Sequence, residues 1–145
     1  MEKRLIRSQD IEPDAICTSS LATSIGSNKG LPADTAGTVL TSAPFVFRSK
    51  GAKSLILATS ISSIPTDATI EIAIYNNTQA SLITSKSYAG TTGSSVDTFD
   101  ISTLAKPPND GDLIVLQVNV TTASATAGST FDLDYAVLQI DYCYA

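Results

Sequence analysis

Apolar and polar residues alternate through most of the chain from about Phe45 onward. In TIEIAIYN (69–76), Ile70, Ile72 and Ile74 are separated by Glu71 and Ala73. In DLIVLQVNVTT (112–122), Ile114, Leu116, Val118 and Val120 share one face and Gln117 and Asn119 the other. A period of two sends successive side chains to opposite faces, so both segments predict half-buried strands. The same reading predicts strands at PFVFRS (44–49), SLILATSIS (54–62), SLITSKSY (81–88) and VDTFDIS (96–102). The last strand, TFDLDYAVLQIDYCY (130–144), starts with Phe131, Leu133, Tyr135 and Val137 on one face, then shifts to Leu138, Ile140 and Tyr142. Such a change of parity predicts a β-bulge or a strand that crosses a sheet corner.

Turn signals separate these runs: Asn76-Asn77, Pro107-Pro108 and Asp110-Gly111, with AGTTGSS (89–95) and TASATAGS (122–129) as loops. Short strands at intervals of about ten residues, with no amphipathic helix of normal length, predict an all-β antiparallel sandwich. A jelly roll is the first choice of topology and an immunoglobulin-like sandwich the second. The chain has no Trp, which excludes a true immunoglobulin domain.

The first 43 residues follow another pattern. Ile6, Ile11, Ile16 and Leu21 lie five apart and Ile25 four further on, a period of neither helix nor strand. GSNKGLPADTAGTV (26–39) adds glycines and a proline. The reading is an extended, irregular N-terminal arm over 1–43 preceding a sandwich body over 44–145. Ile6, Ile11, Ile16, Leu21 and Ile25 would serve as anchors, each entering a pocket on another subunit. A disordered leader, or a strand within the sandwich, is the alternative. Burying five aliphatics contributes roughly 7–15 kcal/mol gross. Ordering about 20 residues costs at least as much, at ~1–2 kcal/mol each. Such an arm therefore needs backbone pairing with a partner, or the multivalency of a symmetric assembly.

Composition sharpens the picture. Ser and Thr are roughly a quarter of the chain, while charged residues are 16%, below the globular average of about 25%. Residues 1–53 carry seven of the nine Lys and Arg against five acids, and residues 54–145 carry two against nine. An acidic body argues against nucleic acid as partner. The longest apolar runs are strand-length, which argues against membrane insertion, and MEKRLIRSQD has no apolar run of a secretory leader. Cys17 and Cys143 fit no disulfide framework or metal spacing, and two free thiols are expected, with a single disulfide as the alternative.

Catalytic chemistry finds little support. The chain contains no His, which removes the Ser-His-Asp and Cys-His arrangements and the usual zinc ligands. Asp97 with Asp100, Asp110 with Asp112, and Asp132 with Asp134 form close carboxylate pairs, but a glycosidase also needs a cleft with sugar-binding aromatics. Solvent-facing acids on a sheet are the simpler reading, and no twelve-residue calcium loop is present. GTTGSS lacks the lysine and setting of a phosphate loop. The chain is expected to be no enzyme and to need no cofactor.

The segment IRSQDIEPDAICTSSLATSI, through Ile6, Ser8, Asp10, Ile11, Ala15, Ile16, Leu21 and Ile25, resembles the short leader of viral fibre proteins. It departs from that pattern where Glu12-Pro13-Asp14 replaces a Gly-containing turn, and the repeat stops at Ile25, so a short anchor fits better than a long shaft. The rest is similar to the small jelly-roll proteins that decorate capsids of tailed bacteriophages or form turrets and spikes on archaeal viruses. The resemblance implies a place on the virion surface, contact with a major capsid protein or other virion subunits, and a homo-oligomer, trimer or pentamer. The competing readings are a carbohydrate-binding or receptor-binding module, needing exposed aromatics such as Tyr75, Tyr88, Tyr142 and Tyr144, and a filament subunit whose arm donates a strand.

Overall fold

The structure, a computed structural model, describes residues 16–144. Ten strands follow in order: β1 (Ile16–Ile25), β2 (Asn28–Pro32), β3 (Gly37–Thr41), β4 (Phe45–Val46), β5 (Ala52–Ser62), β6 (Thr69–Asn76), β7 (Ser81–Ala89), β8 (Gly93–Asp100), β9 (Leu113–Thr122) and β10 (Thr130–Tyr144). A 3-10 turn at Ile101–Thr103 follows β8, where the Asp100 carboxylate accepts from the Ser102 amide. The expected loop at 89–95 is shorter than predicted, because β8 already begins at Gly93.

The strands form two antiparallel five-stranded sheets. The first has the order β1-β10-β5-β8, with β2 also on β10; the second has β3-β9-β6-β7, with β4 also on β9. β1 and β2 are two stretches of one interrupted edge strand, and so are β3 and β4. Counted that way, the chain is a long double ribbon hinged at the β6–β7 hairpin: the first edge pairs β10, the second pairs β9, and β5 pairs β8. Rolled up so that β10 also meets β5 and β9 meets β6, this ribbon is a jelly roll.

Between the sheets lies one core. Leu55, Leu57 and Ile61 of β5 meet Ile70, Ile72 and Ile74 of β6, Leu116 and Val118 of β9, and Leu133, Leu138 and Ile140 of β10. The alternation seen in the sequence is therefore the alternation of core and outer face. The predicted bulge in β10 is present but earlier than its apolar pattern suggests. Its register shifts between Leu133 and Tyr135, turning Tyr135 and Val137 to the outer face, with Tyr135 42% exposed.

The assignment of residues 1–43 to an arm outside the sandwich is corrected for 16–43. β1 and β2 complete the first sheet and β3 the second. These residues hold too few apolar groups to close a core alone, but they need only to complete one. Ile25 and Ala33 are buried in it, and Ala22, Leu31, Val39 and Leu40 pack against it, while backbone pairing supplies the rest. The sandwich therefore begins no later than Ile16, and the boundary at 43/44 cuts through both sheets.

The loops gather at two ends. At one, the segments 33–36, 63–68, 90–92 and 123–129 meet: Ala33 donates to the Ser129 carbonyl at 2.9 Å and Gly90 to the Ala68 carbonyl at 2.8 Å. The Asp34 and Asp67 carboxylates hold this end together by accepting from the Gly128 and Ala125 amides. At the other end, the Gly111 amide donates to the Phe47 carbonyl at 2.7 Å, and Cys143 to Gly51 at 2.8 Å.

Candidate assembly edge

Of the predicted anchors, Ile6 and Ile11 lie outside the described residues. Ile16, Leu21 and Ile25 are all on β1 but do not act together. Residues five apart in a strand face opposite ways, so Ile16 and Leu21 stand on different faces. A register shift between Leu21 and Thr23 changes the parity again and turns Ile25 into the core. Ile16 is 51% exposed and Leu21 65%, whereas Ile25 is only 8% exposed.

β1 is an edge, with β10 on one side and no described strand on the other. From Ile16 to Leu21 every residue is exposed, so this half of the strand is held by its backbone ladder to β10, by the Ser19 hydroxyl donating to the Asp141 carboxylate, and by one covalent link. That link is a disulfide between Cys17 and Cys143, which correct the expectation of two free thiols. The spacing of 126 residues hides it in the sequence; the register puts the two directly opposite each other.

Beside this edge the sandwich is open. The Thr23 hydroxyl donates to the Ala43 carbonyl at 2.8 Å, clasping the edge of the first sheet to that of the second. Next to this clasp, a groove of about 250 Å³ is lined by Ser20, Leu21, Ala22, Phe45, Val46, Ile140 and Tyr142. Val46 is 46% exposed, and Leu113, opposite it on β9, is 40% exposed. The sequence marks Phe45 and Val46 only as strand residues; their place beside β1 depends on the roll of the chain, which no local pattern records. β1 itself carries no charged residue and no proline. Such an edge is a template for strand pairing, unlike β7 with Lys86 or β8 with Asp97 and Asp100.

The acid pairs serve the structure. Asp112, 6% exposed, accepts through Oδ2 from Asn76 Nδ2, Gln79 Nε2 and the Asn109 amide, each at 2.8 Å. The Asn76 amide above all, then the Asn109 N–H, hold its carboxyl below the ordinary value of 3.8 against the opposing effect of burial. Asp110 accepts from the Ser49 amide and lies 3.8 Å from Arg48. Asp132 accepts from the Gly30 amide, and Asp134 from the Ser60 and Ser62 hydroxyls. Asp97 accepts from Ser95. Among the described residues no group of three or more His, Cys, Asp or Glu is placed to hold a metal ion. No helix of the described residues is long and apolar enough to cross a membrane.

Among the described side chains, Tyr75, Tyr88 and Tyr142 form no exposed platform, and the side chain of Tyr144 lies outside the described ones. Tyr88 is 7% exposed, its hydroxyl within 2.6 Å of Thr59 Oγ1 and 3.0 Å of Ser95 Oγ. Tyr142 contributes to the groove beside β1, and Tyr75 is half-buried on β6.

No family model and no curated protein matches the chain. Among solved structures it is similar to dimeric latent PorU from Porphyromonas gingivalis, with 14% identity and a TM-score of 0.46. That likeness spans 88% of this chain and only 13% of the other.

Proposed function

We propose that the chain is a non-enzymatic structural subunit of a virion, a capsid decoration or spike protein that assembles as a closed trimer or pentamer. Its partners are then a major capsid protein or other virion subunits, and its place is the virion surface. One observation carries the reading: the exposed aliphatics Ile16 and Leu21 lie on an uncharged edge strand, beside a groove that Phe45 and Val46 help to line, directly after residues 1–15. In this reading residues 1–15, with Ile6 and Ile11, grip the shell, while the jelly roll faces outward. The acidic body suits an exposed surface, because net charge keeps such a protein soluble.

The test is cosedimentation of the full chain, and of a variant starting at Ile16, with shells assembled from a major capsid protein. The full chain is expected to pellet with the shells. The shortened chain is expected to keep its β-sheet circular dichroism and stay in solution. Equal pelleting of both would remove the anchoring role of residues 1–15. Failure of the full chain on every shell tested would overturn the virion reading.

A further inference from the structure

We propose that neighbouring copies join edge to edge, β1 of one lying antiparallel beside β8 of the next, with Leu21 packed against Val96. The inference deepens the oligomeric reading above and rests on it.

Val96, 69% exposed, and Leu21, 65% exposed, are the two most exposed large aliphatics among the described residues. They lie at opposite edges of the same sheet. The register also places them on the same face. Leu21 stands in a row with Gln139, Ile56 and Thr98, and Val96 in the adjacent row with Ala58, Val137 and Ser24. Both rows face outward, away from Leu55, Leu57 and Leu138 in the core.

Strand direction fits a head-to-tail contact. Three antiparallel steps separate β1 from β8, so the two edges run in opposite senses. A second copy rotated about an axis inclined to the strands keeps its strand sense and presents β1 antiparallel to β8, the inclination supplying the stagger along the strands that a closed ring needs. Sliding it by two residues, about 7 Å, moves Leu21 from the Thr98 row to Val96.

Charge selects this pairing over the others. Two β8 edges brought together would gather Asp97 and Asp100 of both copies along one seam, with no cation of the strand between them. Two β1 edges are neutral, but their contact would leave Val96 exposed and β8 without a partner. β1 against β8 places an uncharged strand carrying Thr18, Ser19 and Ser20 beside the acidic one, and covers both aliphatics at once. A contact between two different surfaces closes into a ring when the rotation allows, and otherwise grows as a filament.

The experiment is light scattering with size-exclusion chromatography on the full chain and on Leu21→Asp and Val96→Asp. Each substitution alone is expected to weaken association by about tenfold or more, leaving monomer. An equal mixture of the two should form a dimer with one copy of each and nothing larger, since one intact interface remains available. If either aspartate variant loses its β-sheet signal, Leu21→Ser and Val96→Ser take their place with the same expectation. A parent oligomer that survives both substitutions would overturn the proposal while leaving the shell-binding result untouched. Disruption by Leu21→Asp alone would mean that β1 pairs with itself, and a parent monomeric at every concentration would refute any edge contact between copies.

Discussion

Cys17 and Cys143 face each other across neighbouring antiparallel strands, their Cα atoms 4.0 Å apart. Cys143 is buried at 5% exposure, whereas Cys17 lies in the stretch of β1 whose side chains are all exposed. Without hydrophobic packing to hold that stretch, the disulfide fastens the start of the described sandwich to its last strand. It also keeps the β1 edge extended, which would lower the ordering cost of the proposed strand pairing.

Reducing this bond should therefore cost stability chiefly through the unfolded chain. With the cysteines 126 positions apart, the expected loss is about 2–5 kcal/mol, seen as a lower denaturant midpoint with reductant or in Cys17→Ser/Cys143→Ser. Hydrogen exchange should accelerate first at residues 17–21. Unchanged protection there would mean that the backbone ladder alone is sufficient.

Thr59 is fully buried, and its hydroxyl meets the Tyr88 hydroxyl, which in turn meets Ser95. Tyr88→Phe keeps the ring but leaves a buried hydroxyl without this partner, so a loss of about 1–3 kcal/mol is expected in chemical unfolding. Gly93→Ala should also destabilise, because its Cβ would fall 2.6 Å from Tyr88 Cε1 while the hydroxyl bonds hold the ring in place. A neutral result for both would show that this corner repacks freely.

Acid should loosen the end of the sandwich organised by Asp112. Hydrogen bonds, led by the one from Asn76, depress this carboxyl in the folded state. A depressed group contributes stability above its unfolded value of 3.8, and the contribution is lost as pH falls from there through the folded value. Asp67, through the Ala125 amide first, and Asp100, through the Ser102 hydroxyl first, act in the same direction. Melting temperature should fall steeply below about pH 4, and Asp112→Asn should flatten that slope. A parallel slope in the variant would assign the acid sensitivity to the other carboxylates.

Much of the fold was legible because it is written in local periodicity. The alternation of Ile70, Ile72 and Ile74, and of Ile114 through Val120, announces strands with one buried face, and the structure buries those faces. The parity change in β10 announced a bulge, although Tyr135 and Val137 were placed on the wrong side of it. A tyrosine and a valine read as core whether or not the pleat has already turned.

What the sequence determined by itself was the class of element, from Phe45 onward, since a period of two depends only on neighbouring residues. Residues 16–41 escaped because edge strands are held by backbone hydrogen bonds, which carry no side-chain signature. The Leu21–Thr23 bulge then broke what alternation there was. Only the rolled tertiary structure decided that Cys17 meets Cys143, that Leu21 shares a groove with Phe45 and Val46, and that Leu21 and Val96 end on one face. Each joins residues far apart in the chain, and their proximity is set by sheet register rather than by any local preference.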